Sequence, residues 1–140
     1  MQGMPVKAGN IAGYHETVVT EDSAEDTWYS VGRGVYLHFG TVKVQRDGLR
    51  KVAISGSTNA HSVCDNLYLA LYLDESSDND DYGTIAVYHY SDTNAPTLSG
   101  YETGIRVTSG YYYSVRGVHR VTHGGVSETL DSCTDAITAL

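Results

Sequence analysis

Histidine and acidic residues are the first candidates for chemistry in this sequence, and the most suggestive pair is His15-Glu16. A zincin site needs a second histidine four residues after the first, on a helix, so that both rings reach one zinc ion. Val19 stands at that position, and the surrounding residues predict a strand. His119 and His123 are also four residues apart, but on a strand they are separated by about 13 Å. Neither pair is therefore expected to bind a metal.

The acidic loop over residues 74–81 raises the question of calcium, because calcium prefers clustered oxygen ligands. Asp78 and Asp80 match the start of an EF-hand loop. Tyr82, however, stands where the third acidic ligand belongs, and His89 replaces the closing glutamate. We interpret the segment as a solvated hairpin loop, with calcium as the alternative, and predict no metal and no cofactor.

The sequence contains no recognisable nucleophile motif. No serine lies in a GxSxG elbow, and neither cysteine has a catalytic signature around it. A triad assembled from distant positions leaves no motif, so this prediction rests on every histidine having an ordinary strand or loop explanation. We predict that the protein is not an enzyme.

Charge and composition exclude some partners and favour one fold class. The chain of 140 residues has 17 acidic and 9 basic residues, for a net charge of -8. Such a chain repels nucleic acid and anionic lipid, and no apolar stretch is long enough for membrane insertion. Its 12 Tyr and 15 Gly, against 2 Pro, are typical of strands and turns.

Alternating apolar residues predict about eight short strands, best seen where Leu67, Leu69, Leu71 and Leu73 alternate with polar or small residues. Loops are expected at Glu21–Asp26, Gly56–His61 and Ser91–Pro96. Residues 1–13 show no pattern and are interpreted as a flexible arm, and residues 14–140 as one domain. The fold prediction is all-β and antiparallel, either a β-sandwich or a small barrel.

Tyrosine is the residue most suited to a binding surface in this chain. Tyr68, Tyr72, Tyr88 and Tyr90 alternate with apolar residues on two predicted strands. If the leucine face is the core, these four side chains form an outer face, and tyrosine is enriched in protein interfaces. We predict that they bind a partner; the alternative is that they close a second core face.

One segment resembles a known fold family. Val107, Gly110, Tyr113 and Val115 are spaced like the E–F corner of fibronectin type III and related immunoglobulin-like sandwiches. The resemblance covers about 30 residues and implies an immunoglobulin-like β-sandwich. It also implies structural roles for Gly110, which permits the bend, and for Tyr113, whose buried hydroxyl returns to upstream backbone.

The two cysteines bear on the compartment. Cys64 and Cys133 are far apart in sequence and fit one long-range disulfide, with two buried free thiols as the alternative. The first residues show no signal peptide, so the chain is either cytosolic or a processed secreted protein. Its surface composition, rich in Tyr, Ser, Thr and Asp, is typical of secreted proteins, and we predict secretion.

The C-terminal third also resembles small secreted actinobacterial β-proteins, some of which are adaptors in the umbrella toxin particles of Streptomyces. Together these features predict a secreted, non-catalytic protein-interaction module, such as an adaptor in an extracellular complex. One alternative is a lectin-like carbohydrate-binding protein that uses Trp28 or exposed tyrosines. Another is a secreted enzyme inhibitor that uses the segment His61–Asp65.

Overall fold

The computed structural model describes Val18, residues 21–30 and residues 35–140. Within them are seven strands: β1 (Ser23–Tyr29), β2 (Leu37–Arg46), β3 (Lys51–Ser76), β4 (Gly83–Arg106), β5 (Tyr112–His123), β6 (Val126–Cys133) and β7 (Ile137–Thr138). The described residues include no helix that could cross a membrane. The predicted arm, residues 1–13, lies outside the described residues, as does the strand predicted around His15-Glu16, residues 14–20, apart from Val18.

Backbone hydrogen bonds join these strands into one sheet. Its order is β1-β2-β3-β5-β6, with β4 beside β3 and β7 beside β5. Each strand pair is antiparallel, so the all-β and antiparallel predictions are confirmed. The sheet curls into a half-barrel whose concave side holds the apolar core.

The curl follows from the lengths of β3 and β4, which contain 26 and 24 residues. A straight strand of that length would extend about 85 Å, roughly twice the diameter of a compact domain of this size. β3 therefore bends where its pairing with β4 skips, between Asn59 and Cys64. Before the bend β3 also pairs with β2, and after it with β5.

Two loop predictions are wrong because the bend does not interrupt the strands. Gly56–His61 and Ser91–Pro96 continue β3 and β4 through the bend instead of ending them. An irregular register carries the chain around a corner without breaking the strand. Each of the two mergers replaces two predicted short strands with one long strand.

The predicted solvated loop Glu21–Asp26 is also wrong, because most of it belongs to β1. β1 pairs with β2 along its whole length, and Ala24 is buried in the core. The acidic side chains of this edge strand remain at the surface. Asp22, just before the strand, forms an ion pair with Arg46 at 3.0 Å.

The carboxylate of Glu128 ties β6 to the start of β2 across the opening of the half-barrel. It accepts the backbone N–H groups of Val35, Tyr36 and Leu37 at 3.1, 2.9 and 2.8 Å. Burial pushes the pKa of Glu128 upward, but these three donors hold the pKa below its usual range. Glu128 thus holds together two strands that share no backbone ladder.

Tyr113 lies at the start of β5 and is fully buried. Its hydroxyl accepts the N–H of Thr108, five residues upstream, at 2.7 Å and donates to Glu75 at 2.7 Å. Burial and the Glu75 carboxylate raise the pKa of Tyr113 to about 12. Gly110, between the two, has a φ of 83°, which favours glycine. These contacts connect the β4–β5 crossing to β3.

The predicted disulfide is wrong, because Cys64 and Cys133 are free thiols. Cys133 pairs with Arg116 on β5, whereas Cys64 lies beyond Asn66, which pairs with Thr122. Six strand residues along β5 correspond to about 20 Å, and a disulfide needs Cα atoms within about 7 Å. Burial raises the pKa of both thiols, that of Cys133 to about 12.

Substitution Tyr113→Phe tests the role of the buried hydroxyl. It removes a partner from Thr108 N–H and from the Glu75 carboxylate, so we expect a loss of about 1–3 kcal/mol in the free energy of unfolding. Denaturant titration measures the loss. The control Tyr101→Phe alters an exposed side chain and should change stability by less than about 0.5 kcal/mol. Equal stabilities of the two variants would contradict this role.

Thiol titration tests the cysteine assignment. Without reductant, the unfolded protein should release two thiols per chain, and the native protein should react slowly because both thiols are shielded and protonated. Reducing agent should leave the melting temperature unchanged. A reductant-sensitive melting temperature would restore the disulfide.

Candidate functional site

The convex side of the second half of β3 and its neighbours carries a group of polar and aromatic side chains that contact one another. We call it the outer face. Its members are aligned by the strand register in three rows: Ser91, Tyr68, Arg120 and Thr129; His89, Ala70, Val118 and Asp131; Val87, Tyr72, Arg116 and Cys133. Side chains of paired residues point to the same side of a sheet, so the three rows share one side; Ala70 and Arg116 are buried there, and the exposed members are on β4 and at Arg120 and Thr129.

The four predicted partner-binding tyrosines do not share this surface. Tyr68 and Tyr72 lie on the outer face, whereas Tyr88 and Tyr90 pack against the apolar core. The register explains the division, because Tyr90 is opposite Leu69 and therefore on the leucine side of the sheet. The shared outer face expected for all four is thus wrong for the β4 pair, and Tyr68 and Tyr72 remain candidates.

Tyr88 and Tyr90 instead complete the core at the β4 edge. The ring of Tyr90 covers Gly100, where an added Cβ would lie 2.4 Å from the ring. Its hydroxyl donates to Glu102 at 2.7 Å, and burial together with that carboxylate raises its pKa. Sequence periodicity alone could not reveal this, because a residue's side of the sheet depends on which strand lies beside it.

Tyr68 is the centre of the outer face. The guanidinium of Arg120 lies over its ring, 4.4 Å from the centroid. The Tyr68 hydroxyl is 2.7 Å from His89 Nδ1. Partial burial raises the pKa of Tyr68, so its hydroxyl is neutral near neutral pH. The three side chains from three strands thus form an aromatic and cationic cluster.

Tyr72 sits beside a buried ionic network that supports the outer face. Arg116 lies 5.0 Å from the Tyr72 ring centroid, and its Nε donates to Asp74 at 2.7 Å. The same guanidinium donates to Thr84 Oγ1 at 2.9 Å, and Thr84 donates to Asp74 at 2.7 Å. The network joins β3, β4 and β5, so the strands cannot slide without breaking it.

The outer face borders an unpaired sheet edge. Among the described residues β4 pairs with β3 alone, which leaves the backbone on its other side open. Two apolar side chains, Ile85 and Val87, are 46% and 41% exposed there. Open strand edges with apolar side chains favour pairing with another chain.

Sequence reasoning missed the polar network around His119, which is fully buried on the concave side. Thr58 Oγ1 donates to the Tyr68 carbonyl at 2.8 Å, so its oxygen accepts from His119 Nδ1 at 3.2 Å. Ser132 Oγ then donates to Nε2 at 2.6 Å. Burial lowers the pKa of His119 to about 4, consistent with a neutral ring. In the sequence His119 occupies an ordinary alternating position of a strand, and only the folded structure shows that Thr58 and Ser132 surround its ring.

Two glycines make room for this ring. A Cβ at Gly40 would lie 2.5 Å from the imidazole, and one at Gly117 would lie 2.7 Å from Nε2. A serine hydrogen-bonded to a neutral histidine resembles the first two members of a hydrolase triad. Ser132 and His119 are both buried, however, so here they hold β5 and β6 to β3.

The candidate metal ligands of the acidic loop have a structural role in the described residues. Asp78 accepts the N–H groups of Asp80 and Asp81 at 2.9 and 3.1 Å, and these bonds lower its pKa. The carboxylate therefore caps its own turn. Within the described residues no three His, Cys, Asp or Glu side chains are arranged to hold a metal. His15-Glu16 lies outside those residues.

The inhibitor segment His61–Asp65 is part of β3 at its bend. Cys64 is buried, and its thiol donates to the Ser62 carbonyl at 3.4 Å. His61 stacks on His38 with ring centroids 4.3 Å apart. Cys64 is buried and pairs with Ala95, and His61 N–H donates to the Tyr36 carbonyl, whereas the side chains of the other four residues are exposed.

Fold and site together define an all-β half-barrel domain with a tyrosine-containing sheet surface. The chain belongs to a family of unknown function, DUF6147, which matches residues 7–137. None of the curated proteins compared with the chain matches it.

Among solved structures, the chain is similar to Spo0M, a sporulation control protein from Bacillus subtilis, with 11% identity and a TM-score of 0.40. The match covers 86% of this chain and 51% of Spo0M, so the chain spans about half the length of that protein.

The buried His119 predicts a specific pH dependence. Its folded pKa is below the ordinary value, so acid protonates the unfolded chain first. Stability is therefore complete above about pH 6.5 and is lost as the pH falls toward 4. We expect a loss of about 2 kcal/mol between about pH 7 and pH 5, measured by denaturant titration.

Two variants separate His119 from other groups. His119→Asn should abolish most of the pH dependence in this interval, whereas His89→Asn, which removes an exposed histidine, should retain it. The carboxylates with lowered pKa values, such as Glu128, change their protonation below this pH interval and so do not contribute to the expected loss. A wild-type free energy of unfolding that is constant over the interval would refute the assignment.

Proposed function

We propose that the protein is a secreted, non-catalytic interaction module that binds a protein partner through the outer face and the open edge of β4. The observation that carries the proposal is the Tyr68–Arg120–His89 cluster beside exposed Ile85 and Val87. The proposed occupant is an extended segment of the partner, lying along β4.

The side-chain chemistry of the cluster favours a protein partner. Tyrosine and arginine dominate the energetically important positions of protein interfaces. Tyr68 and Arg120 already contact each other, so less side-chain entropy is lost on binding than for freely rotating groups. The buried Asp74–Arg116 pair, farther along the same side of β3 and β5, supports a preformed surface.

The open edge favours an extended ligand. A peptide strand added to a sheet edge gains backbone hydrogen bonds, and its alternate side chains reach one face. Along β4, the side chains directed to the outer face are Val87, His89 and Ser91. The side chains of a strand added there would lie next to Val87, His89 and Ser91, and would be separated from Tyr68 on β3 by the width of β4.

The finer fold proposal is an immunoglobulin-like arrangement. It is supported by the Tyr113 hydroxyl, which accepts an upstream backbone N–H as a tyrosine corner would. The continuity of β3 and β4 through both halves of the sheet argues for a curled variant of that arrangement.

Secretion and membership of an extracellular assembly complete the proposal. Since the cysteines are unpaired, secretion is supported by the surface composition and by the resemblance to small secreted actinobacterial β-proteins. An adaptor of an extracellular toxin particle is the most specific form of the proposal. Recovery of the native protein from cells, with none in the culture supernatant, would contradict it.

The interaction test uses a partner identified by capture on the wild-type protein from culture supernatant. The affinity of the purified pair is then measured with Tyr68→Ala and Arg120→Gln. We expect each substitution to weaken binding by tenfold or more, as for interface hot spots. Arg120 is exposed, so its substitution should leave the fold intact.

The matched control is Tyr101→Ala, which removes an exposed tyrosine from the other half of β4. It should leave the affinity within about twofold. Equal losses at Tyr101 and Tyr68, or full affinity of the Tyr68 and Arg120 variants, would refute the outer face as the site. Binding of a glycan on an array, lost on substitution of Trp28, would favour the carbohydrate-binding alternative instead.

A further inference from the structure

A pocket of about 620 Å³ lies at the end of the sheet opposite the Glu128 closure, between the β2–β3 turn and the segment after β4. We call it the cationic pocket. Its lining residues are Leu49, Arg50, Lys51, Arg106, Val107, Thr108 and Ser109. No acidic side chain lines it, although the chain as a whole has a net charge of -8.

The three basic residues of the pocket lie close together. Lys51 and Arg106 are direct cross-strand partners on β3 and β4. Like charges in that position destabilise a sheet, so the pair reduces the stability of the unliganded protein. Arg50 adjoins Lys51, and within the described part of the chain none of the three forms an ion pair.

Backbone geometry holds Arg50 in this position at a further cost. Its φ of 56° is in the left-handed region, a backbone conformation that residues other than glycine and asparagine rarely adopt. Two hydrogen bonds maintain it: Arg50 N–H donates to the Leu140 carbonyl at 2.8 Å, and Val107 N–H donates to the Arg50 carbonyl at 3.0 Å. Repulsion and backbone strain both occur where the three cations meet.

We propose that the cationic pocket binds a small organic phosphate. Arginine side chains donate paired hydrogen bonds to phosphate oxygens, and the hydroxyls of Thr108 and Ser109 supply further donors. Leu49 and Val107 provide apolar contact for the organic part of the ligand. The volume is within the range of small-molecule sites.

The net charge distinguishes this ligand from longer polyanions. A nucleic acid or a sulfated polysaccharide would extend beyond the pocket over an acidic protein, and most of its charges would be repelled. A single dianionic group confined to the pocket meets three cations and no carboxylate among the lining residues. The nearby Asp47, whose carboxylate accepts the N–H of Gly104 at 2.7 Å, is not among the residues that line the pocket.

Phenyl phosphate is the probe for this proposal. It should raise the melting temperature of the wild-type protein in a concentration-dependent manner, because a ligand that binds only the folded state stabilises it. Isothermal titration should show one site. Inorganic phosphate should bind more weakly and phenol should not bind; equal affinity for inorganic phosphate would overturn the assigned apolar contacts.

Lys51→Gln and Arg106→Gln should each weaken ligand binding and at the same time increase the stability of the unliganded protein. Each should weaken phenyl phosphate binding by about tenfold or more. Each should also raise the melting temperature of the unliganded protein, by about 1–3 °C, because a repulsive pair is removed. A purely structural role for these residues would lower the melting temperature instead.

Lys43→Gln is the matched control, because it removes one positive charge from β2, outside the pocket. It should bind phenyl phosphate with wild-type affinity. Two results would overturn the proposal: no stabilisation of the wild-type protein by phenyl phosphate, or equal weakening in all three variants, which would indicate non-specific attraction. Neither result would affect the outer face, since these variants leave Tyr68 and Arg120 unchanged.

Discussion

The lengths of β3 and β4 constrain everything else in the molecule. Two paired strands of 26 and 24 residues fit into a domain of this size only if the sheet curls. Curling produces a concave side that holds the main apolar core and a convex side that carries polar residues and a smaller buried cluster around Tyr82 and Ala136. The leucines of β3 occupy the concave side, and Tyr68 and Tyr72 are left on the convex side. The division between core and candidate surface is thus a consequence of one bend near residues 59–64.

The bend also creates the interactions that close the half-barrel. It turns β2 toward β5 and β6, so that Gly40 meets the ring of His119 and Glu128 reaches the backbone at the start of β2. Most of these closing contacts are polar and buried or half-buried, and they are directional. A core made of leucine and valine alone would specify the curl less sharply, because apolar contacts tolerate sliding whereas hydrogen-bond geometry does not.

The two proposed sites differ in the kind of signal that the sequence contains. The alternation of Leu and Tyr on β3 correctly predicted that Tyr68 and Tyr72 lie on the side opposite the leucine core, because a strand's own periodicity separates its two faces. The same reasoning failed for Tyr88 and Tyr90, since the side on which they lie depends on register with β3. The cationic pocket left no local signal at all: Lys51 and Arg106 become neighbours only through pairing across a long separation in sequence.

The sequence by itself determined the all-β class, the antiparallel pairing implied by its turns and the burial of the Leu67–Leu73 strand face, because these follow from local periodicity and turn chemistry. The turn at Gly110 and the burial of Tyr113 were also predicted from local residues. Only the tertiary structure decided that predicted loops continue as strands, that the cysteines are too far apart to bond, and that His119 is enclosed. Each of these depends on which distant segments become neighbours, and that is settled by the packing of the whole curled sheet.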